Sequence, residues 1–468
     1  MFTFNELSIF LLAYLAFFIG LSYTYTKGYD VSKSKFLIVD RRAGFLESSL
    51  SVGGAWVWGI ALFVSAAVGF DRGWVGLTWF LIPNMAALGI WAWWTKIVNN
   101  KMPNGYTLSA YMKEHYDSTR VAALYQALAL MLALAGVVVN LTAITKLLTV
   151  LGVANIPVLT AILGIGVFIY SSKGGLKANL LTGSIQMATL LLALFGILVV
   201  TLATGGGEYL VKAINGKKNI DNLFDWNLLS TFGIATALTL LPGCVGNQIY
   251  YQRSLSQQEQ TFSNKTFAVG AILFGLVPFM MGILGIMANG YGIEVKDLQT
   301  SHIEFIKQTI GIVGVGVLGI VILNAVANAM DCSFTGSASV IAHDFNKKEN
   351  SSVKIARITM FVVLVLGWAI STYNIDLWII LLAYGSIRAC TFIINLLTLT
   401  KNPFSERGVF YAILIGAIIT SIINWYAGSV KMPVYAMYAS VFAMFAPAVI
   451  AYSITKLLPK KHNFVINS

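Results

Sequence analysis

Gly53-Gly54-Ala55-Trp56-Val57-Trp58-Gly59 sets three glycines and two tryptophans in the middle of an apolar run long enough to cross a bilayer. In hydrocarbon every backbone N–H and C=O has to be satisfied within the protein, so a helix unwinds there only where it is buried or lines a cavity. Glycine permits such unwinding, and the stretch is read as a helix break. Further along, Leu241-Pro242-Gly243-Cys244-Val245-Gly246 repeats the feature five apolar segments later. Close packing of glycines between helices accounts for either stretch taken alone. Two breaks at matching places in two halves are the pattern of an inverted-repeat carrier with its site at the midplane.

Composition places the whole chain in a membrane. Of its 468 residues 57% are hydrophobic and 11% charged, and the mean hydropathy is +0.76. A hydrocarbon core of roughly 30 Å takes about 20 apolar residues as a helix. About 13 such runs follow one another, so the expected fold class is an all-α membrane protein with about 13 transmembrane helices in one domain over residues 1–468. The net charge of +12 is not a nucleic-acid signal, because Lys and Arg alternate by loop. With the amino terminus outside, inside segments hold most of them, Lys33, Lys35, Arg41, Arg42, Lys113, Arg120, Lys347, Lys348, Lys460 and Lys461 included. Outside segments hold only Arg72, Lys212, Lys217, Lys218, Lys296, Lys307 and Lys431. This bias predicts a multi-pass protein of the cytoplasmic membrane, in contact with lipid, with its carboxyl terminus in the cytoplasm.

The first apolar run lacks a basic leading segment and a small-residue cleavage site, and is read as a retained helix. Cys244, Cys332 and Cys390 fall in apolar runs as packing residues, and His115, His302, His343 and His462 lack metal-ligand spacing. No nucleophile, base or metal cluster converges, which argues against an enzyme.

Charged groups inside the runs are the candidates for chemistry, since each costs about 2.5–3.5 kcal/mol at a helix centre. Asp331 lies deep in the ninth run, with Asn328 three residues earlier on the same helix face. That face can coordinate a desolvated cation or carry a proton; alternatively, Asp331 is a structural partner of Arg388 or Lys146. Arg388 is open to three readings: neutralising Asp331, binding an anionic solute group, or a structural role. Lys146 lies close enough to a helix end to snorkel. Trp56 and Trp58 at the first break can wall a solute cavity. In Gly174-Gly175-Leu176-Lys177-Ala178-Asn179-Leu180-Leu181-Thr182-Gly183-Ser184-Ile185-Gln186 a glycine-glycine-basic turn opens an apolar helix that carries Thr182 and Gln186 but no acid.

Asn247-Gln248-Ile249-Tyr250-Tyr251-Gln252-Arg253 is similar to the run that closes the second broken helix in many members of the sodium/solute symporter family. Phe36-Leu37-Ile38-Val39-Asp40-Arg41-Arg42, Gly105-Tyr106-Thr107-Leu108 and the Gly174 stretch resemble the family in the same order. The resemblance implies a LeuT-type fold of inverted five-helix repeats at 45–204 and 228–399, with one extra helix at 4–25 and two more in 408–456. It implies sodium ligands at the positions of Gly54, Val57, Ala325, Asn328 and Ala329. Gly243, Asn247 and Gln248, at the second break, join Trp56, Trp58 and Arg388 as candidate solute-binding residues. Asn328 and Ala329 replace the usual hydroxyl pair. A second sodium site of some members has an acid at the position of Gly183 and hydroxyls at those of Asp331 and Cys332. Here the acid is lost at Gly183 and one is gained at Asp331, so the coupling carboxylate is expected to have moved to the neighbouring helix, with Asp331 and Asn328 as its Na+ ligands.

The expectation is cation-coupled symport of a small polar organic solute, with no cofactor beyond the coupling ion. Sodium is the cation that the family favours, and a proton is the rival. Ser51-Val52-Gly53-Gly54-Ala55-Trp56-Val57-Trp58 looks most like the urea-transporting branch. A solute sensor is the other reading, and the short tail after Lys456, without a signalling domain, argues against it. Nothing in the sequence sets an oligomeric state.

Overall fold

Apolar runs without internal caps become long helices, and short polar residues stop them. Thr3 caps α1 (Phe4–Tyr25) in a reciprocal capping box with Glu6, Ser118 caps α5 (Thr119–Val150), and Asp376 caps α15 (Leu377–Thr400) through the N–H groups of Trp378 and Ile379. In chain order the other helices are α2 (Phe45–Trp56), α3 (Gly59–Lys101), α4 (Leu108–Tyr116), α6 (Ile156–Gly174), α7 (Leu176–Thr201) and α8 (Gly207–Ile214). They continue with α9 (Trp226–Leu240), α10 (Gln248–Leu255), α11 (Gln260–Tyr291), α12 (Ser301–Thr309), α13 (Ile312–Asp344), α14 (Glu349–Ser371), α16 (Glu406–Val430) and α17 (Val434–Leu457). This computed structural model describes residues 3–28, 32–216, 222–257, 260–345, 349–430 and 432–458. Lys217, Lys218, Lys347, Lys348, Lys431, Lys460, Lys461 and His462, used above for charge and metal-ligand spacing, lie outside the described residues.

Among the described residues 11 helices are long and apolar enough to cross a membrane. The count is reconciled with about 13 crossings by the breaks. At about 1.5 Å per residue, α3 would be about 65 Å long, twice what a bilayer needs. It is bent at Gly73, whose φ of 60° and ψ of −148° suit glycine. The part before Gly73 continues α2 as one broken span, and α9 with α10 forms another.

Close backbone approach holds α3 against α11. A Cβ on Gly285 would strike the Ala66 carbonyl, with the Ala66 carbonyl carbon only 2.8 Å away, and a Cβ on Gly282 would strike Leu77. Without a hydrophobic driving force between helices in lipid, such small-residue contacts supply the packing. Gly285→Val therefore has to force the two helices apart, at about 1–3 kcal/mol. Its melting temperature in detergent is expected to fall by several degrees, whereas Gly89→Ala, with nothing within 4 Å of the added carbon, is expected to leave it unchanged.

Candidate functional site

The first break falls at Val57 and Trp58, after the Gly53-Gly54 pair rather than at it. Val57 N–H donates back to the Gly54 carbonyl (3.0 Å) and Trp58 N–H to that of Trp56 (3.0 Å), so the helix tightens and ends. Side chains satisfy the freed groups: Trp58 Nε1 donates to the Ala55 carbonyl (2.9 Å), and Asn140 Oδ1 accepts from the Gly59 N–H (2.9 Å). The second break spans the turn from Leu241 to Gly246. Asn247 restarts the helix by accepting from the Ile249 N–H (3.1 Å), and the Val245 carbonyl takes bonds from Tyr251 Oη (2.9 Å) and Asn395 Nδ2 (3.1 Å). Backbone that would be unsatisfied in lipid is thus paired by buried side chains.

The two breaks meet across Trp56. Its ring lies where a Cβ on Gly243 would be, so this glycine is what lets the indole reach the second broken helix. A small cavity, about 20 Å³, is lined by Trp56, Trp58, Ile60, Ala61, Phe80, Asn84, Leu240, Tyr384 and Arg388. Trp56 Nε1 donates to Asn84 Oδ1 (3.2 Å), and the Trp58 and Tyr384 ring centroids are 5.5 Å apart. The Arg388 guanidinium lies 5.7 Å from the Trp56 ring and 5.5 Å from that of Tyr384. Its Nη2 donates to the Thr239 carbonyl at the end of α9 (2.6 Å), its Nε has no partner, and among the described residues no carboxylate forms an ion pair with it. About one helical turn further along α3, a wider cavity of about 570 Å³ is lined by Val64, Arg72, Lys146, Phe232, Asp297 and Trp378, among others.

Neither partner suggested for Asp331 is in place. Lys146 pairs with Asp297 at 2.5 Å, both lining the wider cavity, and Arg388 turns to α9. Asp331 is fully buried, facing α6 and α7. Its Oδ2 accepts from Thr182 Oγ1 (3.2 Å), Ser171 and Asn179 lie against the same carboxylate, and its Oδ1 has no hydrogen-bond partner among the described residues. Asn328 is wedged between α2 and α7. A Cβ on Gly54 would collide with its Nδ2, and a Cβ on Gly183 would lie 2.8 Å from its Oδ1. Its Nδ2 donates to the Gly183 carbonyl (3.3 Å), and its Oδ1 accepts from Cys332 Sγ (3.4 Å). Arg253 of α10 enters the same cluster, donating to Asn179 Oδ1 (2.6 Å) and Cys332 Sγ (2.8 Å). Val57, Ala325 and Ala329 are buried in the same packed core.

Residues 36–416 match the model of the family described as the sodium:solute symporter family. The chain belongs to that family. It is 22% identical over 382 residues to the sodium/pantothenate symporter of Escherichia coli (strain K12), a match covering 76% of this chain and 77% of the relative. Its fold is similar to that of a Na+-coupled sialic acid symporter in a substrate-bound, outward-open state, with a TM-score of 0.81 at 15% identity over 97% of this chain and 98% of the other. A nucleobase-cation-symport-1 family transporter in a closed conformation gives a TM-score of 0.54 at 13% identity, over 91% and 96% of the two chains. The fold is therefore LeuT-like, and the activity is cation-coupled symport of a solute across a membrane rather than an enzymatic reaction.

In this symporter the stretches that carried the family resemblance come together at the end predicted to face the cytoplasm. Arg41 donates to the carbonyls of Leu255 (2.9 Å) and Gly105 (2.8 Å), and Gln252 donates to that of Leu37 (2.7 Å). Gln248 donates to the Tyr106 carbonyl (2.8 Å) and Ser339 Oγ (3.2 Å) and accepts from the Leu108 N–H (3.0 Å). Gln248 thus braces this closure and does not line the cavity, while Asn247 serves as a helix cap. Gln248→Ala removes all three bonds. It is expected to increase several-fold the maleimide labelling rate of a cysteine introduced at Leu108, against a background of three buried native cysteines.

Asn84, Tyr384 and Asn179 were not singled out from the sequence, and Arg253 was read only as part of a motif. An amide on an otherwise apolar helix face was the available signal for Asn84 and Asn179. Nothing local marks Arg253, because its partners lie on α7 and α13.

Proposed function

We propose that this symporter imports a small polar organic solute, held between the two broken helices with an accepting oxygen, carboxylate or carbonyl, on Arg388, and that Asp331 holds the coupling cation. The buried guanidinium carries the first half of this reading. It faces a cavity at the junction of both breaks, with one amino group on a backbone carbonyl and, among the described residues, no partner on its Nε and no carboxylate paired with it. Charge-assisted bonds of guanidinium to oxygen are among the strong ones in proteins. Trp56, Trp58 and Tyr384 supply flat apolar walls around a space with room for about one water, so a solute enters only when these walls part, and a urea-like carbonyl meets the same requirement at Arg388 as a carboxylate.

The same geometry supports alternating access. The cavity lies one turn below a wide opening on the predicted outer side and is shut off by the Gln248 and Arg41 bonds on the other. Residues 45–204 and 228–399 are the two repeats that would rock against each other, in a cytoplasmic membrane with the amino terminus outside. Uptake of a panel of small carboxylates, amides and ureas into proteoliposomes, under imposed sodium or proton gradients, tests the reading. Gradient-dependent accumulation of at least one is the expected result, and its absence for every solute would favour a solute sensor.

A further inference from the structure

We infer that an apolar groove between α1 and the rest of the bundle seats one acyl chain of an outer-leaflet glycerophospholipid whose headgroup carries a primary ammonium. The groove is separate from the solute cavity. It lies among α1, α5, α6 and α13, with a volume of about 510 Å³. Leu7 and Phe10 of α1, Leu147 of α5, Leu159 of α6 and Ile320 of α13 are among its walls, and Glu6 is the one lining residue with a polar side chain.

Protein interiors are close-packed, with few voids larger than a water molecule. This one persists because α1 is held further along its length. Tyr14 Oη donates to Asn324 Oδ1 (3.0 Å) and Ser22 Oγ to the Tyr170 carbonyl (3.0 Å), and a Cβ on Gly166 would lie 2.5 Å from Leu15. Toward the amino end of α1 the fit opens: a Cβ on Gly319 of α13 would meet only Leu147, at 3.9 Å. An apolar cavity of this kind stays dry. It reaches the surface, where Phe10 is 43% and Val313 73% exposed, and in a bilayer the medium at that surface is hydrocarbon. A chain that enters gains dispersion contacts with the walls. Length favours a lipid tail: the lining residues run along α13 from Val313 to Leu323, about 15 Å, which is one leaflet of a hydrocarbon core of roughly 30 Å.

Charge at the mouth selects the headgroup. Glu6 is exposed in the first turn of α1, on the predicted outer side. Its Oε2 accepts from the Thr3 N–H (2.7 Å), and a carboxylate can accept further donors. On the α5 side, Lys307 Nζ donates to the Val150 carbonyl (3.3 Å), one residue from lining Leu151. The ion pair of Lys307 with Glu304 is long (3.9 Å) and part-exposed, so it holds the ammonium weakly. A phosphate beside Lys307 and a primary ammonium beside Glu6 match a zwitterionic ethanolamine headgroup. A quaternary ammonium has no N–H to donate to Glu6, and a headgroup of net negative charge is repelled by it.

The test places the full chain in phosphatidylcholine nanodiscs with a small share of phosphatidylethanolamine that carries a diazirine on one acyl chain. After illumination, labelled peptides are mapped by mass spectrometry. Residues 144–163 and 313–323 are expected to be labelled several-fold more than α16, whose exposed Ile418, Ile422 and Trp425 report ordinary surface lipid. Unlabelled phosphatidylethanolamine is expected to compete several-fold better than phosphatidylcholine or phosphatidylglycerol. Gly319→Leu, whose side chain has room to enter the groove, is expected to remove the excess label there and leave that on α16 unchanged. Glu6→Gln keeps the capping box and is expected to abolish the headgroup preference while the chain still labels the groove. Label spread evenly over the lipid-facing helices, an excess that survives Gly319→Leu, or equal competition by the three lipids overturns the inference. A dimer in native mass spectra, cross-linked through the groove in place of lipid, makes a second copy the occupant and overturns it as well.

Discussion

Proteoliposomes containing Asp331→Asn are expected to lose gradient-driven accumulation of solute, falling at least tenfold to the level of protein-free vesicles, while solute counterflow persists. The substitution keeps the shape and still offers an oxygen to Thr182 Oγ1, which donates to Asp331 Oδ2 at 3.2 Å. What it removes is the capacity to take up and release a cation. A carrier locked in its neutral form still exchanges solute but has no link to the gradient, because an ion drives a conformational equilibrium only through its differential affinity for the two states. The paired assays separate this from misfolding, since a misfolded protein loses counterflow as well. Accumulation with unchanged ion dependence would sink the assignment of Asp331. His302 does not offer an alternative proton carrier: it sits on α12 outside the crossing segments, fully buried against Phe63, and burial pushes its pKa down to about 3, so it stays neutral across the physiological range.

Arg388→Ala should raise the KM for uptake by roughly 10- to 100-fold, corresponding to a charge-assisted hydrogen bond worth about 1.5–3 kcal/mol. Arg388→Lys keeps the charge but not the planar fork that lies over Trp56 and Tyr384, and an intermediate KM is expected. Arg388 also donates to the Thr239 carbonyl at the second break, so a purely structural role makes a different prediction. In that case Arg388→Ala lowers the melting temperature and the amount of folded protein with KM unchanged. Saturation kinetics at matched protein levels, with melting curves on the same preparations, decide between the two.

Both predictions start from charged residues that stand out in apolar sequence, and that much was legible from the chain alone. Asp331 and Arg388 are costly in a bilayer wherever they sit, so their presence signals chemistry without any knowledge of neighbours. The breaks were legible for a similar reason: glycine and proline act on their own backbone. Even so, the first break lies at Val57–Trp58, since it is the N–H groups of those two residues that turn back to Gly54 and Trp56.

Partners were not legible. Lys146 meets Asp297, Arg388 meets Thr239, and Arg253 meets Asn179 and Cys332, in each case between segments far apart in the chain. The motif stretches carried family membership, yet their spacing gave no hint that Arg41, Gln248 and Gln252 share one closure. Local propensity and hydropathy act through a residue and its near neighbours, and they determined the membrane setting, the crossings, the broken helices and the residues with a charge to explain. Which side chain fills the gap left by Gly54 and Gly183 depends on how α2, α7 and α13 pack. Only the tertiary structure decided it, because that contact joins atoms from three helices whose approach no single segment specifies.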